Sequence, residues 1–238
     1  MKAIFNLILV SMLIITVGNL NTAASAGEGK STDSEKAAKT LEKAVMTLNH
    51  VMNDSENGIH QSLIDNSEGI MIFPGDCKVA AGIFNGQGGR GIAMIRKEDG
   101  YWSNPFIVSL GTGSLGFQTG AQTSDIVLLI QDKNDIMEIE KTFITLGGDV
   151  DVAAGPVNKG YSYSNDIKFG SDIYSYYRNN EIFTGVSLNG GILSYNEMLS
   201  ESLYGIDEVS TYEIFSGIET PYNDDVNDLM EALVIYDE

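Results

Sequence analysis

Few residues in this 238-residue chain are of types that do chemistry, and their spacing narrows the choice further. His50 and His60 are the only imidazoles available as bases or ligands, and no H-E-x-x-H pattern joins them. No serine stands in a G-x-S-x-G elbow; Ser187, in Gly185-Val186-Ser187-Leu188, lacks the second glycine. The single cysteine, Cys77, excludes an intramolecular disulfide and has no His or second Cys beside it. Asp149 and Asp151 would share one side of a strand, and carboxylates suit Ca2+. Two acids are too few ligands, and no EF-hand spacing follows. The sequence reads as non-enzymatic, with no catalytic residue, metal site or cofactor.

Two stretches satisfy G-x-G-x-x-G, Gly86–Gly91 and Gly111–Gly116. A dinucleotide site needs the last glycine to open a helix whose N-terminus meets pyrophosphate. Strand-like sequence follows each one instead, Ile92–Ile95 and Phe117–Gln122. The first is expected to form a hairpin turn, Asn85–Arg90, between strands Val79–Phe84 and Gly91–Ile95. The second is expected to open a pair of central strands that ends in the apolar run Ile126–Ile130.

The binding candidate is Lys36, Lys39 and Lys43, on a helix expected over about 34–53 after a Thr32-x-x-Glu35 capping box. Ala37, Leu41, Ala44, Val45, Leu48, Val51 and Met52 share its other, apolar face. Lysines opposite an apolar face suit a helix lying on a membrane, each contributing about 1 kcal/mol near an anionic surface. The same pattern describes any amphipathic helix packed on a domain with its charged side in water. Both readings stay open on sequence alone.

Charge sets the remaining limits. The formal balance is −19, and deleting residues 1–26 removes one lysine and no acid, giving −20. Residues 27–53 sum to zero, and no Lys or Arg follows Arg178. Such a surface repels nucleic acid and admits a protein partner with a basic surface. Lys2, the apolar Ala3–Val17 and the small residues Ala24-Ser25-Ala26 have the form of an export signal, and the apolar part is short for a span. The expected organisation is a signal peptide over 1–26, a polar arm over 27–33 and a single domain over 34–238, exported to the periplasm or beyond.

A second helix is expected over Glu56–Asn66 and another over Lys133–Thr142. Strands are expected at Ile70–Phe73, Phe106–Leu110, Gly147–Gly155, Ser171–Arg178, Ile182–Leu188 and Ile192–Leu193. Asn158–Asp166 reads as a loop, and helices close the chain at Glu197–Leu203 and Asp224–Ile235. Strands between terminal helices imply an α+β fold, with a curved, mostly antiparallel β-sheet or partly closed barrel and N- and C-terminal helices packed on it.

Several stretches, in order along the chain, resemble the SYLF domain family, also called the Ysc84-type domain. They are Gly69-Ile70-Met71-Ile72-Phe73-Pro74, Trp102-Ser103-Asn104-Pro105-Phe106, Gly113–Gln122 with Asp125–Leu129, Ala153-Ala154-Gly155-Pro156-Val157, Phe183–Leu188 and Tyr204-Gly205. The resemblance covers roughly residues 35–235 and is to an exported, bacterial-type member. It implies lipid binding, with a phospholipid or membrane surface as partner. Family members that bind phosphoinositides use a basic amphipathic N-terminal segment; here Glu35 and Glu42 dilute the lysine stripe. The competing expectations are an acidic module for a cationic protein and a carrier of a small apolar ligand inside the sheet.

Overall fold

The structure, a computed structural model, describes residues 32–54, 58–59, 61–75, 79–81, 84–114, 125–155, 171–179, 182–185, 188 and 190–234. The export signal, Cys77, His60, Ser187, Phe117–Gln122 and the loop Asn158–Asp166 lie outside these residues.

Helix α1, Asp33–Asn53, starts one residue after the expected capping threonine and ends where the periodic pattern stops. It buries Ala37, Thr40, Leu41, Ala44, Thr47, Leu48 and Val51, the stripe set by a repeat of three and four. The apolar side of the lysine helix is therefore core. Each fully buried Leu or Val contributes about 1.5–3 kcal/mol. Helix α2, Gln61–Asp65, is shorter than the expected Glu56–Asn66, with Gly58 and Ile59 outside it.

The chain then builds a ten-stranded sheet from β1 Gly69–Phe73, β2 Val79–Ala81, β3 Phe84–Ile95, β4 Phe106–Ser114, β5 Asp125–Ile130, β6 Ile144–Thr145, β7 Val152–Ala154, β8 Ile173–Asn179, β9 Ile182–Gly185 and β10 Gly191–Tyr195. The order is β6-β10-β4-β3-β1-β5-β8-β7, with β2 on β3 and β9 on β8. All pairs are antiparallel except β7 with β8. Strands β1 and β5 bury every residue, five and six in a row, as unbroken apolar runs should when both faces are covered.

The sheet curls. Eight strands laid flat would separate the edge strands by about 34 Å. Residues Thr145 and Val152, at those two edges, are joined by a segment that spans at most about 25 Å extended. That segment is itself folded: Leu146 bridges Val150, and a turn runs through 147–149. The result is the partly closed, mostly antiparallel sheet of an α+β domain.

Helices follow the strands: α3 Asn134–Met137, α4 Glu197–Tyr204, α5 Thr211–Phe215 and α6 Asn223–Val234. α1 packs against α4, α6, β3 and β1. Asp33–Glu238 forms one compact unit.

Four expectations are corrected. The Asn85–Arg90 turn is strand, because β3 runs unbroken from Phe84 and the pairing of Ala81 with Phe84 puts the reversal earlier. The two glycine motifs face each other across β3 and β4, Gly86 opposite Gly113 and Gly88 opposite Gly111. Strands β4 and β5 are not neighbours, since β3 and β1 lie between them. The Lys133–Thr142 helix shrinks to α3. Its start is set by the Asp132 carboxylate, which accepts from the Asn134 N–H at 2.9 Å. Gly147–Gly155 is a turn followed by the short β7, so Asp149 and Asp151 do not share a strand face. The Asp149 carboxylate instead accepts from the Thr145 N–H at 2.7 Å, and the Asp151 N–H donates to Asp172 at 2.9 Å. Sequence reading also missed α5, which is one turn long. Its Ser210-x-x-Glu213 capping box was present as a signal.

Candidate functional site

With its inner face committed to the core, α1 offers only its outer arc. At about 100° per residue, Lys36, Lys39, Lys43 and His50 fall within an arc of about 60°. Met46 lies at its border beside Lys39 and is 53% exposed. Beyond Met46 come Glu35 and Glu42. The outer surface of α1 thus passes from basic, through one exposed thioether, to acidic.

The three lysines differ. Lys36 donates to the Asp33 carboxylate at 2.6 Å, which neutralises it locally, and is half-buried. Lys43 is half-buried and already engaged with a neighbour. Lys39 is exposed and makes no ion pair or hydrogen bond among the described residues. Among the described residues, Lys39 is therefore the lysine of this helix without a partner, with Lys36 and Lys43 held in local contacts. Met46 escaped sequence reading because it falls outside the apolar stripe, and an apolar residue among lysines was the signal.

The acidic border is reinforced from outside the helix. The Asp225 carboxyl on α6 is pushed above the usual carboxylate range, first by burial and then by Asp228, Glu42 and Asp224. Glu42 thus lies near enough to α6 for its charge to act on Asp225. The Ser34 hydroxyl also hydrogen-bonds the Tyr222 hydroxyl at 2.6 Å. The charged groups α1 presents on this side are the carboxylates Glu35 and Glu42, which turn an anionic surface toward the lysine side.

Among the described residues no group of three or more His, Cys, Asp or Glu could hold a metal ion. No helix there is long and apolar enough to cross a membrane. The ion pair of Asp125 with Arg178 at 2.8 Å is structural: Asp125 also accepts from the Gly75 N–H at 2.7 Å and ties the end of β1 to β5 and β8.

The model of a family described as Ysc84, Las17-binding protein actin regulator, matches residues 111–236, more than half of the chain. The chain belongs to the Ysc84 family. The family region runs from the glycine-rich end of β4 through α6. Helix α1 lies before it, on the domain that this region completes. This chain is 28% identical over 187 residues to the SH3 domain-containing YSC84-like protein 1 of Xenopus laevis, covering 78% of this chain and 54% of that one. It is 30% identical over 162 residues to an SH3 domain-containing protein of Schizosaccharomyces pombe, covering 67% and 37%. With the human SH3 domain-containing YSC84-like protein 1 it shares 27% over 208 residues, covering 87% and 59%. The chain spans about half the length of the curated relatives it matches.

Proposed function

We propose that this Ysc84-family chain is a non-enzymatic domain that associates with anionic lipid or membrane surfaces through the outer arc of α1. The observation that carries this reading is Lys39 exposed between Lys36 and Lys43, with Met46 exposed beside them, on a chain that is otherwise strongly acidic. Because the apolar face of α1 is buried, the contact is peripheral. The lysines meet head groups and Met46 dips into them, while the helix stays in the domain. Such binding is driven by charge and weakens with salt. With residues 1–26 read as an export signal, the surface it meets lies outside the cytoplasm.

Co-sedimentation with vesicles of anionic and of zwitterionic lipid, at low and moderate salt, tests the reading. The protein is expected to sediment with anionic vesicles only, and less at higher salt. Replacing Lys36, Lys39 and Lys43 together by Gln should weaken binding about 100-fold, at about 1 kcal/mol for each charge. Equal sedimentation of the triple variant would sink it. The family description and the relatives' names point to protein partners as well, and a protein partner for this chain is a separate proposal.

A further inference from the structure

The corner made by α4, the turn over 205–210 and α5 exposes apolar side chains that packing does not account for. Met198 in the first turn of α4 is 59% exposed, Ile206 just past its end 42%, and Tyr212 in α5 75%. Their neighbours Leu199, Leu203 and Ile214 are buried in the core. The corner is held in place by local hydrogen bonds. Gly205 caps α4 in the left-handed region, with φ 67°. The Glu208 N–H donates back to the Glu201 carboxylate at 2.7 Å, and the Ile206 N–H to the Glu201 carbonyl at 3.3 Å. The turn therefore lies against the middle of α4, one turn on from Met198. On its far side the Tyr195 hydroxyl donates to the Val209 carbonyl at 2.7 Å. Burial, ahead of the nearby carboxylates, pushes that phenol up to about 12, so it stays a donor at any physiological pH.

Charge decides what this surface fits. Glu197, Asp207 and Glu208 are exposed, and their carboxylates have no partner among the described residues. No Lys or Arg occurs anywhere after Arg178 to balance them. Exposed apolar side chains set among three unpaired carboxylates complement a segment that carries Lys or Arg beside apolar residues. An anionic membrane is repelled by the same field, and a second copy would bring like charges face to face. Backbone conformation points to the same place. Among the described residues, glycine occupies every left-handed position except one: Gly100, Gly147, Gly190, Gly205 and Gly217, but Glu208 at φ 56°. A carboxylate stands where glycine would be relaxed.

We propose that the α4–α5 corner is a docking site for a cationic amphipathic segment of a protein partner. Its apolar residues cover Met198, Ile206 and Tyr212, and its cations pair with Glu197, Asp207 and Glu208. The site is built from other residues than the lysine arc of α1 and does not depend on the membrane reading.

The test uses the full chain and a fluorescent synthetic amphipathic helix of leucine and lysine, with a leucine–glutamate helix as control. Anisotropy should show binding of the lysine peptide alone. Met198→Ser with Tyr212→Ser, and separately Glu197→Gln with Asp207→Asn, should each weaken it about tenfold or more. Asp224→Asn with Asp228→Asn removes equal charge from α6 and should leave it within about twofold; thermal melts confirm that each variant is folded. An α6 effect as large as the corner effect would mean general attraction and overturn the site. So would an unchanged affinity of the Met198/Tyr212 variant. Loss of vesicle sedimentation, or of a dimer in size exclusion, in that variant without loss of peptide binding would reassign the corner to lipid or to self-contact.

Discussion

Helix α1 and the α4–α5 corner each bury one side in the same core and turn the other outward, and their outward sides differ in charge. On α1 the lysines Lys36, Lys39 and Lys43 share one arc, with Met46 at its border. On the corner the carboxylates Glu197, Asp207 and Glu208 surround Met198, Ile206 and Tyr212. The inner sides are interchangeable in kind, Leu41 and Leu48 on one and Leu199 and Leu203 on the other, all buried. Packing fixes the inner residues and leaves the outer ones free, so what the outer ones have in common is the place to look for partners. The difference between them predicts two separate ligands of opposite charge.

The largest effect should come from the side the two regions share. Leu48→Ala removes a fully buried side chain from α1 and should cost about 2–5 kcal/mol in a denaturant melt. A loss below about 1 kcal/mol would mean that the inner face of α1 is not part of the core, and the peripheral mode of binding would fall with it. Next is the exchange that separates the two surfaces. Lys39→Glu with Lys43→Glu should abolish sedimentation with anionic vesicles and leave binding of the lysine peptide unchanged. A variant that loses both would merge the two sites into one electrostatic effect.

Smaller and more diagnostic is Glu208→Gly. A non-glycine residue in the left-handed region costs about 1–2 kcal/mol, so glycine should raise stability by about 1 kcal/mol while weakening the peptide complex. Opposite signs in a thermal melt and a binding titration are the expected signature. If stability and affinity both fall, the residue is structural. The smallest effect concerns the acidic border of α1. Burial, ahead of the neighbouring carboxylates, holds the Asp225 carboxyl above the usual carboxylate range, so the folded state holds the proton more tightly. The stability this gives is present at acid pH and is lost as pH rises through the carboxylate range. Asp225→Asn should therefore raise stability at pH 7 by no more than about 0.5 kcal/mol, with the gain gone by about pH 4. A gain that grows toward acid would reverse the assignment.

Much of the fold was legible where one physical rule acted alone. Unbroken apolar runs marked β1 and β5 because both of their faces are covered. A repeat of three and four marked α1 and its buried stripe. Legibility failed where a partner decides the conformation. Gly86 to Gly91 has the composition of a turn, yet it is strand because Gly111 and Gly113 lie opposite. Gly91 illustrates the pressure: a Cβ there would run into the Ile72 carbonyl and the Phe73 ring, contacts that exist only once β1 pairs with β3. The lysines of the candidate site were visible as a stripe. Which of them is free was not, because Lys36 is occupied by a neighbour three residues away and Lys43 by a contact of its own. The corner was hidden for a different reason. Met198 and Ile206 look like core residues until the buried side of α4 is known.

The clip between β6 and β7 has a consequence for how this protein ages. Its six residues hold both margins of the sheet, and the Asp149 carboxylate occupies the outward N–H of Thr145 on one of them. While the clip is whole, that donor on the β6 margin is not open to a foreign strand. One proteolytic nick within 147–149 would release both margins together. A cut in this short turn is expected to leave the β6 and β7 margins more open to a foreign strand.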